Sequence, residues 1–353
     1  MKKHWKRLLL IVLALALVCG GTAGLLVFKK PFHNGDLTGE GRWKSIVGRV
    51  IPAFFLDENA AFDILQLTDT HLVGNTGKDQ KTMQGLREML TPLAPRLELV
   101  VVTGDMLDGF NRYIFVDKRA ALERIAGLFE ELGLYWAYVP GNNDGEYLGS
   151  AADVAAALSG YAHCIIANEE GLTGATQYAI PLRNAAGKTV HTLVFMDSLA
   201  RDPETHYITY DHFKPDQAAW LDKTLANFKA EAPNGKATLF FHMNTPAMLR
   251  AAREGSPAQE GYAPIPESFT YTIEKNAPMD DVIAKNGNVG LVSIGHIHPE
   301  RSWCSALDGV LYQIARPAGY EASQQPGAVL ITVEPAAPEG ALYHFEEMLY
   351  EAE

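Results

Sequence analysis

Between residues 62 and 298, six short apolar runs each stop abruptly on a cluster of Gly, Asp, Asn and His: FDILQLTDTH, LELVVVTGD, YWAYVPGNND, HTLVFMDS, ATLFFHMN and VGLVSIGHIH. Runs of this length, rich in β-branched and aromatic residues and bounded by turn formers, read as buried strands. Helical patterns fill gaps between them at Lys81 to Thr91, Lys118 to Leu132, Asp153 to Leu158 and Lys214 to Lys229. Strand and helix in alternation predict an α/β layer fold. In open sheets of that kind function gathers beyond the carboxyl ends of the strands, and every polar cluster here falls at such an end.

Two further strands follow in VLYQIARP and AVLITVEP, and residues from about Ala336 read as a final hairpin arm or a tail. The stretch AREGSPAQEGYAPIPES, within residues 250 to 280, is too long and too rich in Gly and Pro for a plain connector. It reads as a lid or substrate-facing loop, or as an exposed insertion.

The polar clusters hold metal-ligand chemistry. Asp69 and His71 stand two apart, as do His296 and His298, and a period of two sends both side chains of a strand pair to one side. Asp105 ends a very apolar strand, where a lone carboxylate is costly without a cation or hydrogen-bond donors. Asn142 offers an amide oxygen from a Pro-Gly turn, and His242 closes FFH. A mixed imidazole and carboxylate set suits zinc, iron or manganese better than calcium or magnesium. Any one of these residues alone is most simply a cap, a turn or a satisfied core histidine. Their joint order, DxH, GD, GNxD, H and GHxH, each after an apolar run, is not.

Composition narrows the partners. Residues 1 to 30 hold Lys2, Lys3, Lys6, Arg7, Lys29 and Lys30 and no carboxylate, so 24 basic residues face 42 acidic ones over residues 31 to 353, a formal charge of about −18. A surface that acidic repels phosphate backbones, which excludes nucleic acid as a standing partner. Cys164 and Cys304 are too few for a disulfide framework and read as buried thiols or a single bridge.

Residues 8 to 28 carry no charge, and about 20 such residues span a bilayer core as a helix. Four basic residues precede the span and two follow it, which keeps the N-terminus cytoplasmic and the body outside. A cleaved signal over Leu8 to Val18 and lipidation at Cys19 are the alternatives. The expected organisation is a membrane anchor or signal segment at 1–30, a tether at 31–58, a catalytic domain at 59–335 and an arm at 336–353.

The ordered ligand set resembles the calcineurin-like metallophosphoesterase superfamily over approximately residues 60 to 330. Within it the chain looks most like the single-domain group related to plant purple acid phosphatase-like proteins, on LQLTDTHL, VVTGD, the MDS of Met196 to Ser198, KPDQAAWL, FFHMNTP, GHIHPE and the later AGY. The resemblance implies a four-layer β-sandwich flanked by helices, here preceded by one transmembrane helix. It implies two divalent ions, Mn, Zn or Fe: the first held by Asp69, His71 and His298, the second by Asn142, His242 and His296, with Asp105 bridging. The implied activity is hydrolysis of phosphomonoesters or phosphodiesters outside the cytoplasm by a metal-bridging hydroxide.

Two departures stand out. The family's Gly-Asn-His turn carries Asn143 in place of its histidine, and an amide can donate a hydrogen bond to a phosphate but cannot give up a proton. General-acid assistance is then absent or relocated, with His206, His212, Asp144 and Glu146 as candidates. Asp108 stands where purple enzymes carry a tyrosine ligand to ferric iron, so no purple chromophore is expected. Asn111, Tyr147 and Tyr207 read as exposed loop residues or as substrate contacts. The alternative to an enzyme is a metal-binding regulatory or sensing ectodomain whose turnover is weak because of Asn143.

Overall fold

The structure, a computed structural model, describes residues 54–56, 61–109, 117–146, 149–206, 209–338 and 340–351. The anchor expected at 8–28, and Asn111, Tyr147 and Tyr207, lie outside these residues. No described helix is long and apolar enough to cross a membrane.

The chain runs β1 (Phe54–Phe55), β2 (Phe62–Leu67), α1 (Gly77–Leu93), β3 (Leu99–Thr103), α2 (Lys118–Glu131), β4 (Trp136–Val139), α3 (Ala151–Leu158) and β5 (Cys164–Ile165). It continues with β6 (Gln177–Arg183), β7 (Thr189–Met196), α4 (Pro215–Glu231), β8 (Lys236–Phe240), α5 (Pro246–Glu254) and β9 (Ser256–Pro257). The last elements are α6 (Ala277–Asn286), β10 (Val289–Ile294), β11 (Trp303–Leu307), β12 (Val310–Ile314), β13 (Gly327–Val333) and β14 (Tyr343–Leu349). Local chemistry sets several helix starts. Thr76 and Asp79 close a capping box on α1, as Ser150 and Asp153 do on α3, each satisfying backbone N–H groups that the first turn leaves open.

Two mixed sheets result. Six strands run in the order β14-β13-β2-β3-β4-β5, and eight in the order β1-β6-β7-β8-β10-β12-β11-β9. Strand β7 shows how they stack. Its Leu193 and Phe195 join the core that also takes in Ile64, Val101 and Tyr138 of the smaller sheet. Its Val194 and Met196 join a second core with Leu221 and Phe228 of α4, Met248 of α5 and Ile283 of α6. Because successive strand side chains face opposite ways, the larger sheet lies between the smaller sheet and these three helices. Helices α1, α2 and α3 pack on the first core through Leu90, Phe129 and Leu158. The architecture is therefore an α/β fold with two sheets face to face and helices outside.

A polar bolt crosses the sheet interface. Gln66 of β2 is fully buried; its Nε2 donates to Thr103 Oγ1 at 3.0 Å, and its Oε1 accepts from Ser293 Oγ of β10 at 2.5 Å. Buried polar groups demand such partners, and these fix the two sheets' relative placement just below the strand ends.

Two segments differ from a plain reading of the sequence, and a third follows it. Phe54 and Phe55, at the end of the expected tether, pair in parallel with β6. The expected C-terminal arm does form a hairpin: it supplies β14, paired antiparallel with β13 from Gly327↔Leu349 to Val333↔Tyr343. The 250 to 280 stretch is largely tied down: α5 runs into it, β9 pairs with β11, and a 3-10 turn at Glu274–Asn276 leads into α6. Its partner strand lies some fifty residues downstream, so no local pattern announces the pairing. Cys164 and Cys304 are both buried, in β5 and β11 of different sheets.

Candidate metal centre

Parallel neighbours β2, β3 and β4 of one sheet end on Asp69, Asp105 and Asn142, and parallel neighbours β8 and β10 of the other end on His242 and on His296 with His298. Face-to-face packing brings these five carboxyl ends to one edge of the sandwich. The backbone there is unusual: Asp69, His71, Asp105, His296 and His298 all have left-handed φ, from 45° to 69°. For a residue with a Cβ this costs roughly 1–2 kcal/mol each, and such strain collects where function holds it in place. The strands stop at Leu67 and Ile294, so strand periodicity does not aim the paired ligands. Left-handed turns do, and they send His296 and His298 to different clusters.

The first cluster is Asp69, His71 and His298. His298 Nε2 lies 2.9 Å from Asp69 Oδ1, His71 Nε2 lies 3.5 Å from the same oxygen, and the two Nε2 atoms are 3.0 Å apart. The second is Asp105, His242 and His296; His242 Nε2 lies 3.4 Å from Asp105 Oδ2 and 3.2 Å from Asn142 Oδ1. Asp105 Oδ2 is also 3.6 Å from His71 Nε2, so this carboxylate stands between the clusters. Ligands about 2.0–2.2 Å from one transition-metal ion sit roughly 3.0–3.5 Å from each other, which is the spacing found.

Supporting contacts aim these atoms. Asp69 Oδ2 accepts from Thr68 Oγ1 and the His296 backbone N–H, leaving Oδ1 toward the cluster. Asp108 Oδ1 lies 3.4 Å from His71 Nδ1, and Thr103 O accepts from His242 Nδ1 at 2.8 Å. A proton fixed on Nδ1 leaves the Nε2 lone pair for a cation. Gly104, at φ 88°, and Gly141 let the β3 and β4 turns touch; a Cβ on Gly141 would lie 2.2 Å from Asp105 N and Oδ1.

The electrostatics suit a cation. Burial opposes charge on His71, but Asp108, Asp69 and Asp105 outweigh it and push the imidazolium up to about 10. At His242 burial is again outweighed, by Asp105 and Asp69, to about 9. Burial works against ionised Asp69, yet the neighbouring His298 and His71 hold it well below the usual carboxylate range. Burial, reinforced by the charge on His242, lowers His296 to about 3. Imidazolium protons thus balance the carboxylates, and a divalent ion taking the same lone pairs displaces them.

The residues around the turn have distinct places. Asn143 donates from its backbone N–H to Asp105 Oδ1 at 2.8 Å and from Nδ2 to Asp105 Oδ2 at 2.7 Å, so its amide rests on the central carboxylate. Asp144 is fully buried and accepts from Leu107 N, Gly141 N and Tyr138 Oη; it anchors the turn from behind. His212 pairs with Asp211. His206 is exposed at the end of the 3-10 turn Pro203–Thr205 and bonds to no described residue of either cluster. The MDS and KPDQ segments meet where Gln217 Nε2 donates to Asp197 O at 2.7 Å.

Two neighbours are not singled out as residues by the sequence, although the 250 to 280 stretch reads there as a substrate-facing loop or an exposed insertion. Tyr210 packs edge-on to His296 with ring centres 4.9 Å apart, and Tyr271, from the 250 to 280 stretch, places Oη 3.3 Å from His296 Nε2. Both come from loops whose reach toward the site depends on the fold of distant strands.

The chain is 24% identical over 302 residues to "Probable inactive purple acid phosphatase 29" of Arabidopsis thaliana, covering 76% of this chain and 75% of that protein. Among solved structures, a Staphylococcus aureus protein described as a candidate 5′-nucleotidase superposes with a TM-score of 0.49 at 12% identity, over 83% of this chain and 54% of that one. The sulfate thiohydrolase SoxB of Thermus thermophilus gives 0.44 at 12% identity, over 86% and 58%. The chain spans little more than half the length of these two structures. The sequence profile of the calcineurin-like phosphoesterases matches residues 62–300, more than half of the chain and all of the strand ends described above, and the chain belongs to that family.

Proposed function

We propose that the chain is a dinuclear-metal hydrolase of phosphate esters, and the observation that carries the reading is the pair of donor clusters meeting at Asp105. Asp69, His71 and His298 hold one ion, Asn142, His242 and His296 hold the other, and Asp105 is shared. When bound, two divalent ions of manganese, zinc or iron neutralise phosphate charge and acidify water. The protein residues hold this arrangement: Asp108 and Thr103 O fix the two imidazoles, and Asp144 fixes the turn that carries Asn142.

Asn143 supports a second reading, a metal-binding sensing domain with weak turnover. Its amide cannot supply a proton, it rests on Asp105, and the Arabidopsis relative bears the word inactive in its name. We place the domain outside the cytoplasm, anchored in a bilayer by residues 8 to 28; the arrangement of basic residues around that apolar stretch supports this, and protease accessibility on intact cells tests it.

The decisive experiment is hydrolysis of an aryl phosphate by the full chain with Mn²⁺ added, beside a metal count. Two ions bound with turnover supports the hydrolase, two ions without turnover the sensing domain, and no bound divalent metal refutes both.

A further inference from the structure

Beyond the second cluster lies a wall that the ligand chemistry does not use. The loop after β7 folds back as a small hairpin: Arg201 and Tyr210 form an antiparallel bridge, Asp202 N donates to Thr209 O and Asp211 N donates to Ala200 O, both at 2.9 Å. The Arg201 guanidinium stacks 4.5 Å from the Tyr210 ring centre, and that ring abuts His296. Among the described residues no carboxylate pairs with Arg201, in a chain of formal charge −12. Tyr271 completes the wall. Asn244 Nδ2 donates to its carbonyl at 2.8 Å, and Asn276 Nδ2 ties down Asn244 O at 2.9 Å, so its phenol is held beside the metal-cluster histidine.

A cation stacked on the ring that abuts a metal-cluster histidine, with no carboxylate partner among the described residues, calls for a second anion. Asn143 adds an independent constraint: with no acid in the turn, the best substrate is one whose leaving group departs without a proton. An alkoxide fails that condition. A phosphate meets it, since its second ionisation lies near pH 6, at about 6. Resting on the hydrolase reading above, we infer that Arg201, Tyr210 and Tyr271 form a leaving-group subsite for phosphoanhydrides, with the terminal phosphate at the clusters and the next phosphate on Arg201.

For ADP, a bond forms from the oxygen of water to the β-phosphorus and the bond from that phosphorus to the bridging oxygen breaks. AMP leaves with the electron pair, one water proton stays on orthophosphate and the other passes to solvent. Arg201 meets the charge that arrives on AMP, and the tyrosine hydroxyls donate to its free oxygens.

The test is binding to the Mn²⁺-loaded full chain, by calorimetry, of the methylene-bridged ADP analogue and of AMP, which differ by one phosphate. Wild type is expected to prefer the analogue by roughly tenfold to a hundredfold, the range of one charge-assisted contact. Arg201→Met should remove that preference and Arg201→Lys should restore part of it. The corresponding kinetic ratio, kcat/KM for ADP over that for p-nitrophenyl phosphate, should fall by a similar factor in Arg201→Met. Because ratios are compared, a partly folded variant gives the same answer. A wild type without preference, or a preference that survives Arg201→Met within threefold, overturns the subsite while aryl phosphate turnover keeps the hydrolase reading intact. Absence of both metal binding and turnover overturns the two together.

Discussion

Replacing His298 by glycine separates a metal ligand from a structural residue, because its effects on the metal-free and metal-loaded protein have different sizes. In the metal-free protein the change removes the 2.9 Å contact of Nε2 with Asp69 Oδ1, on a side chain 34% exposed, worth about 1 kcal/mol. It also relieves the left-handed backbone at φ 53°, a gain of roughly 1–2 kcal/mol, against roughly 0.5–1 kcal/mol for glycine's greater freedom when unfolded. These contributions cancel to within about 1 kcal/mol. With Mn²⁺ at a hundred times the dissociation constant, each site stabilises the folded protein by about 2.7 kcal/mol. For a domain of this size that is about 4–5 °C in Tm. Thermal unfolding of wild type and His298→Gly, in chelator and in excess Mn²⁺, should therefore give nearly equal Tm values in chelator and a variant lower by about 4–5 °C in metal, with one ion lost per chain by elemental analysis. Equal destabilisation in both conditions, or two ions retained, would refute the assignment of His298 to the first cluster.

Other expectations follow from individual contacts. Asn143→His supplies a proton donor at the turn and should raise kcat on an alkyl phosphate by roughly tenfold or more with a smaller gain on p-nitrophenyl phosphate; equal gains on both would show that proton donation is not what the site lacks. Gly141→Ala drives a Cβ against Asp105 and should lower metal affinity at least tenfold, read by Mn²⁺ titration. Gln66→Leu strands Ser293 and Gln313 in the sheet interface and should cost about 2–4 kcal/mol in urea unfolding. His191 on β7 is fully buried, its Nε2 beside Thr238 Oγ1 at 2.9 Å, and burial lowers it to about 3. The unfolded chain therefore takes up a proton below about pH 6.5 that the folded chain refuses, so stability falls with acidification between about pH 6.5 and 3, by about 1.4 kcal/mol per pH unit. His191→Leu, with Thr238 still bonded to Tyr343 Oη, should flatten that slope by the same amount in urea titrations from pH 6.5 to 4.5.

The sequence by itself determined the strands that carry the site and the residues at their ends. FDILQL, LVVVT, WAYV, KATLF and VGLVSI are contiguous, strongly apolar and closed by turn formers, so their signals are local and survive reading one residue after another. Asp69, His71, Asp105, Asn142, His242, His296 and His298 follow directly from where those runs stop. Tertiary structure decided how they are aimed and what surrounds them. Asp69 and His298 stand 229 residues apart yet 2.9 Å from each other, a contact fixed by strand order and by the stacking of two sheets. Strand periodicity gave the wrong reason for the Asp69 and His71 pair, because both lie past the strand in left-handed turns that only the packed edge can hold. The contact of Asn143 with Asp105 and the approach of Tyr271 and Tyr210 to His296 could not be read residue by residue, since loop residues carry no period and their destination depends on the elements folded around them.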